Sequence, residues 1–191
     1  MSHAHVDTPR PHRLTVADYY RMAEVGILAP EAHVELIDGE IIAMTPIGPL
    51  HCASVDRATR AFITKAGDSA IVRVQGSVRL DLYSEPDPDL VLLRPRADFY
   101  ASAHPGPADI LLIVEVAQSS IDYDREFKSH VYARSAVHEY WLADLNERVL
   151  TCYSSPEDGI YQRVERHTRG QSLAPRLLPD CVISTEDLLA E

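Results

Sequence analysis

Lysine is nearly missing from this chain of 191 residues, which holds Lys65 and Lys128 and no other. Any chemistry that needs an ammonium group must use one of these two. Cysteine is sparse as well. Cys52, Cys152 and Cys181 lie far apart and form no CxxC pair, which excludes a disulfide framework and a cysteine zinc site and predicts a reducing, cytoplasmic compartment. Long apolar runs are absent. The longest clean one, Ile110 to Val114, has five residues, against about 18 for a bilayer span, so no membrane partner is expected. The start of the chain carries histidines and prolines rather than a hydrophobic stretch, predicting a frayed tail over residues 1–13 and no signal peptide. Residues 14–191 then read as a single domain, long enough to bury a core. The sequence has no P-loop, no GxGxxG and no GxSxG, and His138-Glu139 lacks the second histidine of a zincin. Eighteen basic against twenty-nine acidic side chains leave a net charge of −11. A polyanion is therefore repelled on average, and a nucleic-acid site has to be local or bridged by metal.

What is present reads as alternating helices and strands. Thr15 as N-cap with Asp18 three residues on predicts a helix to about Leu28. Asp38-Gly39 between two alternating apolar runs predicts a hairpin over His33 to Met44. A second helix is expected over Cys52 to Ala66. Strands follow at Ala70 to Gln75, Ser77 to Leu82 and Asp89 to Leu93. Asp109 to Val116 is apolar on both parities, the pattern of a central strand covered on both faces. A helix from Ser119 or Ser120 to about Arg134 comes next, then strands at Glu139–Ala143, Val149–Ser154 and Ile160–Arg166. A short helix near Ser184 closes the chain. The fold class is α/β (α+β), one mixed β-sheet flanked by helices.

Glu115 stands out because it interrupts a strand that otherwise has to be dry, and an unpaired buried carboxylate costs several kcal/mol. Asp89 follows Pro88 and opens an apolar strand, so its side chain can reach the core edge. The neighbouring Glu85 and Asp87 read as a solvated turn. Two carboxylates converging from adjacent strands are hard oxygen ligands suited to Mg²⁺ or Mn²⁺. A lysine within reach completes a set for metal-assisted phosphodiester hydrolysis. Lys128 lies on the helix after the Glu115 strand; a surface pair with Asp124, one turn away, is the competing reading. His51 at the start of the second helix and Gln75 at a strand end are candidate substrate contacts. Tyr140 and Trp141 read as core rather than as stacking platforms, and Arg57, Arg60 and Lys65 as the solvated face of a helix.

Five blocks in order carry a resemblance: Glu35-Leu-Ile-Asp-Gly-Glu40, Glu85-Pro-Asp-Pro-Asp-Leu90, Val114-Glu-Val-Ala-Gln-Ser-Ser120, Asp124-Arg-Glu-Phe-Lys128 and Val137-His-Glu-Tyr-Trp-Leu142. Together they resemble the PD-(D/E)xK nuclease superfamily and, more narrowly, its Uma-type restriction-endonuclease branch, from Leu14 onward. The resemblance implies a restriction-endonuclease-like core and an endonuclease acting on DNA. Asp89 and Glu115 would be its metal ligands, Glu35 a third acidic position, and Lys128 the group that orients the attacking water. In the superfamily the lysine usually sits two residues after the glutamate. Here that residue is Ala117, on the strand face of Glu115, and the Uma-type pattern supplies Lys128 from the next helix instead. A homodimer, common in such folds, is a further expectation. Two rivals remain: a non-catalytic nucleic-acid-binding or regulatory domain on a nuclease scaffold, and a two-carboxylate glycoside hydrolase, whose aromatic-lined cleft one Trp and three Phe serve poorly.

Overall fold

A computed structural model describes residues 11–29 and 31–189. The first ten residues of the expected tail lie outside the described residues. Arg13, placed at the tail's end from the sequence, instead donates to the Asp38 carbonyl at 2.8 Å and stacks 4.2 Å over the Tyr83 ring. Helix α1 spans Val16–Glu24, with the capping box of Thr15 and Asp18 formed in both directions. The hairpin is β1 (Val34–Ile37) and β2 (Glu40–Ala43), turned at Asp38-Gly39. Helix α2, Pro49–Ala66, begins on the proline at its first turn, where a missing N–H costs nothing.

Six strands form the main sheet in the order β3-β4-β5-β6-β7-β8: Ile71–Val74, Leu90–Leu93, Ile110–Ala117, Glu139–Asp144, Val149–Glu157 and Ile160–Thr168. Only β5 and β6 run parallel, joined by a helical crossover. The expected mixed sheet with flanking helices is thus the observed architecture. Every residue of β4, β5 and β6 is buried. Even-numbered positions such as Leu90, Leu92, Val114 and Val116 pack with Val55, Ala58 and Phe62 of α2. Odd-numbered Val91, Leu93, Ile113 and Ala117 pack with Ile37 of the hairpin and with Val131 and Tyr132 of the crossover helix. Tyr140 and Trp141 are fully buried, one on each side.

Ser77 to Leu82 is not a strand. Val78 and Leu80 do point inward, but the N–H groups of Val78, Arg79 and Leu80 bond three separate carbonyls, Pro86, Pro105 and Ser84. Prolines on both facing segments have no N–H to return, so no ladder forms. The closing helix shrinks to a single 3-10 turn, Thr185–Asp187, capped by Ser184. A two-stranded pair, β9 (Ser172–Leu173) with β10 (Ile183–Ser184), has no counterpart among the expected elements.

The crossover helix carries the fold's main irregularity. Tyr123–Lys128 is wound as a π-helix and runs directly into α3, Ser129–Arg134. The Ser129 N–H bonds back to the Asp124 carbonyl, five residues away. The wider turn leaves both Asp124 and Lys128 buried on the side of the sheet where Glu115 lies, and such local widening is frequent at functional sites.

Candidate active site

The register of the central strands sets up the site. Leu90 pairs with Val114 and Val91 with Ile113, antiparallel, so the same register puts Asp89 across from Glu115. Both carboxylates share the face of Ile113 and Ala117, beneath the hairpin and the π-helical turn. The Asp89 N–H donates to Glu115 Oε2 at 3.2 Å, and the Val116 N–H donates to Asp89 Oδ2 at 2.9 Å. Each acid is thus held by the backbone of the other's strand.

Lys128 reaches this pair from the π-helical turn. Its Nζ lies 3.0 Å from Glu115 Oε1 and 3.2 Å from Glu35 Oε1, with Asp124 Oδ1 at 3.9 Å. The surface pair with Asp124 is therefore the longest of its three contacts, and the lysine is only 6% exposed. Burial works against its charge, but Glu115, Glu35 and Asp124 outweigh that and raise its pKa above the usual lysine value. At neutral pH this group is an ammonium that donates hydrogen bonds; it has no lone pair with which to act as a base.

Glu115 is shaped by the opposite balance. Burial, helped by Asp89, Asp124 and Glu35, pushes its pKa upward while Lys128 pulls it down. The Tyr132 hydroxyl donates to its Oε1 at 2.7 Å, and burial keeps that phenol protonated. Glu35 is placed by β1, and its Oε2 accepts the Asp87 N–H at 3.2 Å. Tyr132→Phe keeps the ring packed on Tyr140, 5.1 Å away, and removes one hydrogen bond to a buried carboxylate. The expected loss is about 1.5–3 kcal/mol of stability, read from the denaturant midpoint at unchanged m-value.

The remaining sequence candidates part company. His51 is buried, and its Nε2 stands 3.0 Å from Asp89 Oδ2. It lines the cleft and meets a carboxylate there. Burial opposes its charge, yet the bond to Asp89 raises its pKa overall. Gln75 is not at the site. It follows β3 in the left-handed region at φ 46°, its side chain is exposed, and its backbone N–H donates to the Asp89 carbonyl at 3.0 Å. Its side chain is not among those that line the cleft.

Asp87, Asp124, Tyr123 and Tyr132 were not among the sequence candidates. All but Tyr132 line a cleft of roughly 340 Å³ with Glu35, Asp89, Glu115 and Lys128. Five carboxylates thus face one ammonium and one imidazole. Among the described residues, four buried side-chain polar atoms lack a hydrogen-bond partner, and three belong to this cleft: His51 Nδ1, Asp87 Oδ1 and Tyr123 Oη. Buried polar atoms ordinarily find partners, so the cleft has unspent bonding capacity beside an excess of negative charge. That suits a hydrated cation.

Among the described residues no three His, Cys, Asp or Glu side chains form a ready metal cage. Mg²⁺ does not require one. It keeps several waters and commonly takes one or two protein carboxylates together with substrate phosphate, a demand that Asp89 and Glu115 fit by donor type. No helix among the described residues is long and apolar enough to cross a membrane.

A mixed sheet carrying two opposed acids on adjacent strands, flanked by helices, defines a restriction-endonuclease-like fold. The chain belongs to the Uma2 family, described as "Putative restriction endonuclease", whose model matches residues 16–186. It is also similar to a crystal structure described as "a putative nuclease belonging to DUF820 from Anabaena variabilis ATCC 29413". The TM-score is 0.71 at 17% identity, covering 92% of this chain and 97% of that one; at that identity the likeness concerns the fold. No curated protein matches the chain.

Proposed function

We propose that this protein is a Mg²⁺- or Mn²⁺-dependent endonuclease that hydrolyses DNA phosphodiester bonds in the cleft of Asp89, Glu115 and Lys128. The observation that carries this reading is the buried Lys128 ammonium, 3.0 Å from Glu115 and 3.2 Å from Glu35, beside the paired Asp89. A lysine that merely solubilised the surface would not be held there.

Asp89 and Glu115 would hold the metal, with Glu35 as a third acidic position. The bound ion would supply Lewis-acid polarisation of the phosphate. His51 keeps the Asp89 carboxylate turned toward the cleft, and Tyr132 does the same for Glu115. Lys128, charged throughout, donates a hydrogen bond that orients the attacking water and offsets the negative charge growing on the phosphate. The water's proton passes to a cleft carboxylate or to solvent, because the ammonium has no lone pair to accept it. Cutting both strands of a duplex in one encounter needs two such clefts, so the proposal includes a homodimer, to be checked by light scattering. The three cysteines are free thiols, in keeping with the cytoplasm as the working compartment.

The test is a substrate panel. Supercoiled DNA, linear duplex and single strands are incubated with Mg²⁺, Mn²⁺ or EDTA. Metal-dependent product from at least one form is expected. If no form is cut, the chain is better read as a nucleic-acid-binding or regulatory domain on a nuclease scaffold.

A further inference from the structure

A second concavity, roughly 790 Å³, opens between α1, the end of β3 and the loops after β3 and β4. Its chemistry is the reverse of the acidic cleft. Arg73, Arg79, His104, Ser77, Tyr20 and Tyr100 line it, and the chain around it is strongly acidic overall. We infer that this pocket binds the phosphodiester backbone of a nucleic-acid strand, flanking the cleft proposed above as the site of cleavage.

The arginines are built to present charge outward. Arg79 Nε lies 2.5 Å from Glu85 Oε2, with the carboxylate side chain 2% exposed and the arginine side chain 46% exposed. Glu85 thus acts as a buried footing, and the outer edge of the guanidinium stays free for an anion. Arg73 makes only long bonds, at 3.3 and 3.4 Å, to the Ser77 and Phe99 carbonyls, and lies 5.7 Å over the Tyr100 ring. Among the described residues its charge has no carboxylate partner within salt-bridge distance. The Tyr20 hydroxyl donates to Glu85 Oε1 at 2.6 Å, and its oxygen stands 3.1 Å from His104 Nε2. That contact orients the imidazole at the rim.

Guanidinium forks beside an exposed aromatic ring suit phosphate with an attached base better than a bare anion. The forks match phosphate oxygens, and Tyr20, 39% exposed, offers a stacking face, whereas Tyr100 is buried beneath Arg73 and Arg96. Continuity with the acidic cleft favours a strand over an isolated nucleotide. The segment Ser84 to Asp89 forms the wall between the two. Glu85 bonds Tyr20 and Arg79 of the basic pocket, while Asp87 and Asp89 line the cleft. A strand crossing this wall would place one phosphate among the arginines and a neighbouring one at the acidic pair.

The inference rests on the proposed nuclease reading, and its test is independent of cleavage. Binding of a short fluorescein-labelled single strand is measured by anisotropy in EDTA across a salt series. Arg73→Gln is expected to weaken binding roughly five- to tenfold at low salt and to make the log–log salt slope shallower by about one. Arg73→Lys should keep most of the slope, since it keeps the point charge. Arg163→Gln, an equal charge change on distant β8, should alter neither. Arg79 is left intact because its loss would strand the buried Glu85 charge. Equal affinity in the parent and Arg73→Gln, an equal loss in Arg163→Gln, no binding by the parent, or displacement by polyglutamate as effective as by unlabelled DNA would each overturn the inference. A protein that binds as described but cuts nothing would refute the nuclease reading and leave this pocket standing.

Discussion

Lys128→Ala is expected to lower the rate of metal-dependent DNA cleavage by roughly 10²–10⁴-fold, the scale of a positioned charge-stabilising group. Its effect on metal should be the reverse of a ligand's. The ammonium lies between Glu115 and Glu35, 3.0 and 3.2 Å away, where it balances their charge. Without it the apo protein holds uncompensated carboxylates, and breaking such a buried pair costs about 3–5 kcal/mol. The variant should therefore melt well below the parent in EDTA and recover disproportionately when Mn²⁺ is added. A retained cleavage rate would reduce Lys128 to a structural cation.

Glu115→Gln should have the second-largest effect, and in the opposite sense for the apo protein. The substitution removes a charge that is 4% exposed and disfavoured by burial, so the variant in EDTA is expected to be at least as stable as the parent. Because the folded-state pKa of Glu115 is raised, its contribution to stability is full at low pH. That contribution is lost as pH rises from the usual carboxylate range toward the raised folded value. The melting temperature of the parent relative to the glutamine variant should fall steadily from pH 5 to pH 8. In Mn²⁺ or Mg²⁺ the parent should gain stability by linkage and the variant should not. A metal-dependent shift that survives in Glu115→Gln would remove this residue from the ligand set.

Much of this site was legible along the chain because strand logic is local. An acid inside an eight-residue run that is otherwise apolar is conspicuous, and β5 is buried from end to end. The Asp38-Gly39 hairpin and the Thr15 cap are local as well. What escaped the sequence was decided by partners distant in the chain. Glu85 reads as a solvated turn residue, yet it is 3% exposed, held by Tyr20 sixty-five residues before it and by Arg79. Asp87 lies beside it with one oxygen unpartnered in the cleft. The π-helical winding that brings Asp124 and Lys128 inward has no marker in Tyr123–Lys128 that a regular helix would lack.

The displaced lysine also takes a clearer meaning. Ala117 does share the face of Glu115, as the strand period requires, but it is fully buried among Ile37, Val131 and Tyr132 and does not line the cleft. A lysine at 117 would have to bury its stem against these apolar neighbours under α3. Adding Ala117→Lys to Lys128→Ala is therefore expected to destabilise the protein further rather than to rescue cleavage, although the two positions flank the same glutamate.

As proposed, the opposed carboxylates Asp89 and Glu115 form the metal-dependent hydrolytic site. The most direct measurement of this follows nicking of one supercoiled plasmid by the parent and by Asp89→Asn, prepared identically and shown to be folded. Nicked product from the parent in Mn²⁺, none in EDTA and none from Asp89→Asn under either condition is the expected result. Equal nicking by Asp89→Asn, or nicking that persists in EDTA, would contradict it.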